Sequence, residues 1–149
     1  MDKKELFKNI DIDKRKFILG KFDAMSGSYI TFKLVGILTP LFKDIKNVEG
    51  IDDINLTELA SSLFSLPEEE FRYIQKNCLM RIKEILPGAT PQILDEYGTW
   101  GVNDIEFDTQ LVMNLTIQSL VFNVSGFFGG NLLVSLREGL TSFQQSSKI

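Results

Sequence analysis

Apolar residues recur every three or four positions along much of the chain, the spacing of one helix face. Met25, Tyr29, Phe32, Val35 and Leu38 predict a first helix, with Asp23 placed to cap it. Pro40 should kink or end that helix, and Thr39 could cap a last helical piece through Ile45. The polar stretch Lys46–Asn55, which contains Gly50, reads as a loop. A short helix bearing Leu59 and Leu63 follows. Ser65-Leu66-Pro67-Glu68 then fits a capping box with proline in the first turn. The helix beyond it carries Phe71, Ile74, Cys78, Ile82 and Ile85 on one face, and Pro87-Gly88 is expected to stop it. The turn-rich segment 87–103 leaves room for a small β-hairpin between Gln92–Leu94 and Thr99–Val102. A long helix is predicted from Thr109 to about Ser125, with a bent continuation past Gly126, Gly129 and Gly130 to about Phe143. Near the N-terminus, Lys16–Phe22 reads as a short extended segment. These elements describe a mainly α, single-domain protein spanning residues 1–149. It has a short N-terminal extended segment and, near residues 92–102, that small hairpin.

Composition narrows the chemistry. The chain has 149 residues, a formal net charge of −4, no histidine and a single cysteine. It is long enough to bury a core without metal or disulfide staples. The absence of histidine removes the commonest general base and metal ligand, and one cysteine excludes an intrachain disulfide. The net negative charge argues against a general nucleic-acid binder. The charge is uneven, because residues 1–21 hold seven of the sixteen basic side chains against four acidic ones. Residues 1–15 are therefore expected to form a mobile basic arm. Charged residues interrupt every apolar stretch near the N-terminus, so no signal peptide is read there. Thr109–Leu136 runs 28 residues without a charge, but Asn114, Gln118, Asn123 and Asn131 interrupt it. Unpartnered amides are costly in hydrocarbon, so a protein-buried helix fits better than a membrane span.

Candidate chemistry is sparse. Asp104, Glu106 and Asp108 alternate, as do Asp11 and Asp13, yet neither set follows a calcium-loop pattern. The first set suits the positive N-terminal end of the long helix instead. Cys78 lies on an apolar helix face and reads as a small core residue. No phosphate loop, nucleophile elbow or convergent catalytic set is visible, so no enzyme, cofactor or metal is expected. A different signal runs along the C-terminal helix. Thr116, Ser119, Asn123, Gly126 and Gly130 form a stripe of small or polar residues that would let another backbone approach closely. Bulky Phe127, Phe128, Leu132, Leu133 and Leu136 lie beside or beyond it. Two readings are open for these five: an intramolecular core helix, or a surface for another subunit or a client.

Three segments and a C-terminal helix, taken in order, resemble the bacteriophage or prophage tail assembly chaperones. They are KFILGKFDAMSG (Lys16–Gly27) with its following helix, LPEEEFRYIQKNCL (Leu66–Leu79), NDIEFDTQLVMNL (Asn103–Leu115), and a C-terminal helix ending in Phe127-Phe128. Together they cover about residues 16–134. The resemblance implies a non-enzymatic protein of the host-cell cytoplasm, absent from the mature virion. It would bind the tape measure protein and keep that long helical chain soluble until tail tube subunits polymerise round it. Many such families also make a longer form by ribosomal frameshifting, and Ser146–Ile149 would suit the end of a short form. Self-association is compatible with this role. The competing reading is a structural tail completion or connector component that remains in the particle.

Overall fold

The computed structural model describes residues 6–38 and 56–128, with the backbone alone described at 35–38, 56–59 and 125–128. Its core begins with a hairpin where a mobile arm is expected. Strand β1 (Phe7–Ile12) pairs antiparallel with β2 (Arg15–Gly20), placing Ile12 opposite Arg15. The two-residue turn between them, Asp13-Lys14, has φ of 48° and 68°. Positive φ at both positions is the type I′ geometry that matches strand twist. An Asp-Lys turn lacks the usual glycine, and for that reason the hairpin is not apparent from the residues alone. Residues 7–12 of the expected arm thus form an edge strand, and the mainly α expectation is corrected to a mixed α/β architecture.

The third strand brings a second correction. Helix α3 (Glu68–Met80) stops short of Pro87, and β3 (Ile82–Glu84) follows after one residue. β3 pairs antiparallel with the other side of β2, giving the sheet order β1-β2-β3. Ile82 and Glu84 point inward while Lys83 points out, a period of two that pairing rewards over the helical period. The capping box is also absent. Pro67 is the N-cap of α3 without a side-chain bond, and Ser65 Oγ donates to the Ser62 carbonyl instead. Glu68, Glu69 and Glu70 still favour the helix start through its dipole.

Helix α1 (Ala24–Leu38) is capped as expected, with Ser26 N–H donating to Asp23 Oδ2 at 3.0 Å. Helix α2 (Leu56–Phe64) buries Leu63. Helix α4 (Thr109–Phe128) starts after a 3-10 turn at Ile105–Phe107, and Leu111 N–H donates to Asp108 Oδ1 at 3.1 Å. The expected small hairpin takes the form of a tight loop. Leu94 bridges Trp100, and Gly101 N–H donates to the Ile93 carbonyl at 2.9 Å. Asp95 Oδ1 accepts from the backbone of Tyr97 and Thr99, and Gly98 sits at φ 82°. A Cβ on Gly101 would run into the Gln92 carbonyl, so only glycine fits there. The same segment covers the outer edge of β3, where Lys83 bridges Gln92.

The core lies between the inner face of the sheet, the 93–105 segment and α4. It gathers Phe17, Leu19, Ile82, Ile93, Ile105, Leu111 and Leu115. Ile30, Leu34, Leu63, Ile74, Cys78, Leu120 and Val124, one or more from each helix, are buried as well. The expectations for Thr39, Pro40, Ile45 and the 46–55 loop fall outside the described residues, as does any helix beyond Phe128.

Candidate functional site

The small-residue stripe of α4 faces inward as far as it is described. Thr116 and Ser119 are fully buried. Thr116 Oγ1 donates to the Val112 carbonyl within its own helix, and Gln75 of α3 donates to the same hydroxyl at 3.5 Å. Burial of Cys78 on α3 pushes its thiol up to about 12, and the Ser119 hydroxyl opposes this only in part. Such a thiol is not a nucleophile near neutral pH, consistent with a core role. Asn123 clamps α4 to the junction of β2 and α1. Its Oδ1 accepts from Phe22 N–H at 2.7 Å, and its Nδ2 donates to the carbonyls of Ser119 and Gly20 at 2.9 and 3.3 Å. Gly126, Phe127 and Phe128 continue the backbone of α4, and their surroundings are not among those described. Gly130, Leu132, Leu133 and Leu136 lie outside the described residues.

The charged residues singled out in the sequence are largely structural. Arg15 makes a two-pronged pair with Glu84, at 2.7 and 2.8 Å, and lies 5.7 Å from the centre of the Phe17 ring. It also binds Asp104 at 2.7 Å. Hydrogen bonding to Glu84 first, and to Asp104 second, raises the Arg15 pKa further. In return Arg15 holds the Asp104 carboxyl below the usual carboxylate range. Lys21 donates to the Phe122 carbonyl at 2.6 Å and sits 4.1 Å from the centre of that ring. Lys8, Lys14 and Lys16 are exposed. The alternating carboxylates diverge, since Asp104 goes to Arg15 and Asp108 caps α4. Among the described residues no three metal-ligating side chains converge.

A surface missed at the sequence level lies on α1. The stripe Met25, Tyr29 and Phe32 suggests the core face, yet Met25 is 86 % exposed, Tyr29 46 % and Phe32 57 %. The residues that turn inward are Ile30 and Leu34, one turn apart and fully buried. α1 is therefore apolar on two sides. That double stripe was the signal available in the sequence. Tyr29 meets Tyr73 of α3 edge-on, with ring centroids 5.2 Å apart, and Tyr73 is itself 41 % exposed. Exposed Phe64 of α2 stacks on Phe71 of α3 at 6.2 Å. Tyr29, Tyr73, Glu69 and Glu70 line an open depression of about 400 Å³. Glu70 is paired with Lys33 at 2.8 Å and Glu68 with Arg72, also at 2.8 Å, while Glu69 has no ion pair among the described residues. Glu70 raises the Lys33 pKa through their hydrogen bond.

Half-exposed Tyr29 and Tyr73 thus share one open face with Glu69 and Glu70. A family model described as phage tail assembly chaperone protein, TAC, matches residues 13–133. The chain belongs to the phage tail assembly chaperone family, which is non-enzymatic. The matched range contains all three motif segments that suggested it. No curated protein and no solved structure matches the chain. No helix among the described residues is long and apolar enough to cross a membrane.

Proposed function

We propose that the chain binds the tape measure protein in the host-cell cytoplasm. It holds that chain soluble while tail tube subunits assemble, and leaves before the virion is complete. The family match over residues 13–133 carries this reading. The exposed α1 face supports it physically. A chaperone for a helical client needs apolar surface that its own fold leaves open, with nearby charge to keep the free protein soluble. Met25, Tyr29 and Tyr73 meet that requirement. Phe127, Phe128, Leu132, Leu133 and Leu136 are proposed as a second apolar contact, on the grounds of their sequence alone.

The test is co-expression with the longest helical protein encoded just downstream. The expected result is that this protein becomes soluble and co-purifies with the chain. An insoluble, unbound client beside a soluble, folded chain contradicts the proposal. Mass spectrometry of purified particles then decides the tail completion alternative, because a chaperone is missing from them and a structural component is present.

A further inference from the structure

We infer that the depression between Tyr29 and Tyr73 seats a lysine or arginine side chain of a partner helix. The apolar stripe of that helix then lies along Met25 and Tyr29. This inference rests on the client-binding reading and adds the charge of the client segment. The depression has aromatic walls and an acidic rim. Tyrosine rings attract a cation through their faces, and the attraction strengthens as water is excluded. Two of the three neighbouring glutamates already have internal partners, Glu70 in Lys33 and Glu68 in Arg72. Glu69 alone carries a charge that no side chain among the described residues compensates. A purely apolar helix laid across this face would strip water from Glu69 and leave it unpaired, which opposes binding. An acidic helix would meet like charge. A helix with a basic residue beside its apolar stripe satisfies both features at once, because the long stem of lysine or arginine covers the rings while its head reaches the carboxylate.

The test uses the full chain and two synthetic amphipathic helices with the same leucine stripe, one flanked by lysines and one by glutamates. Binding is read by calorimetry or fluorescence anisotropy. Three variants are compared: Glu69→Gln, Tyr73→Ala, and Glu96→Gln, which removes a charge from the 95–99 turn. Circular dichroism confirms that each is folded. The expected result is binding of the lysine peptide and not of the glutamate peptide. Glu69→Gln and Tyr73→Ala should each weaken it roughly tenfold, and Glu96→Gln by less than about twofold. Equal binding of both peptides overturns the inference, as does failure of the lysine peptide to bind. It is also overturned if Glu69→Gln has no more effect than Glu96→Gln. A dimer of the chain by sedimentation that Glu69→Gln dissociates would assign the face to a second copy instead. The co-expression assay separates this inference from the function it rests on. If Glu69→Gln solubilises the client as well as the wild type does, the pocket assignment fails and the chaperone role stands. If the wild type binds the lysine peptide but no client, the pocket stands and the chaperone role fails.

Discussion

The inner face of the sheet hides a carboxylate, while the outer face of α1 shows methionine and tyrosine to water. Glu84 is 2 % exposed and Met25 is 86 % exposed, the reverse of what residue type suggests. The difference lies in the available partners. Glu84 can be buried because Arg15, two residues before Phe17 on the next strand, meets it with two hydrogen bonds. Met25 and Tyr29 stay open because Ile30 and Leu34 on the same helix already supply the side that packs. Burial follows the pairing that the fold makes possible, and the apolar stripe left over after packing is the one proposed to meet a partner.

This contrast is open to attack by substitution, and the largest effect belongs to the sheet. Phe17→Ala should destabilise the chain by about 3–5 kcal/mol in denaturant unfolding, against about 0.5 kcal/mol or less for Met25→Ala. Equal costs would place Met25 in the core. Arg15→Ala should cost about 3 kcal/mol, because it leaves Glu84 buried without its cation. The double variant Arg15→Ala, Glu84→Ala should recover part of that loss, and no recovery in a double-mutant cycle would mean the pair is not coupled. Asn123→Ala removes the amide that joins α4 to Phe22 and Gly20, with an expected cost of about 1–2 kcal/mol and faster hydrogen exchange at Phe22.

The smallest effect is on acid stability. Arg15 holds the Asp104 pKa below its unfolded value of about 3.9. The stabilisation from this pair is therefore complete above that unfolded value and fades as pH falls through the lower folded one. Asp104→Asn should flatten the stability profile below about pH 4 and leave its shape near neutral pH unchanged. Asp104 is largely exposed, so added salt should shrink the difference. A profile identical to wild type in the acid range would remove Asp104 from the account.

The elements that could be read from the residues are those whose local signals agree. Asp23 caps α1, Asp108 caps α4, Cys78 is core, and the 92–102 segment folds back on itself. What could not be read depends on distant pairing. β1 turns on a glycine-free Asp13-Lys14 corner, and β3 exists because Ile82–Glu84 finds β2, some sixty positions earlier in the chain. The helical spacing of apolar residues from Phe71 to Ile85 breaks at Arg81 for the same reason. On α1, Met25, Tyr29 and Phe32 form one apolar stripe and Ile30 and Leu34 another, and nothing local says which one the rest of the protein covers. The family was legible because ordered motifs need no knowledge of which face is buried.

The most direct measurement sets the two faces of α1 against each other. Thermal unfolding and client retention would be compared for the Met25→Ser, Tyr29→Ser pair and for Ile30→Ala. The expected result is that the outer pair melts close to the wild type, within about 1 kcal/mol, and no longer holds the client. Ile30→Ala should lose about 2–5 kcal/mol and still bind wherever it remains folded. Collapse of the outer pair to the stability of Ile30→Ala, or full client binding by that pair, would contradict the assignment of this face to a partner.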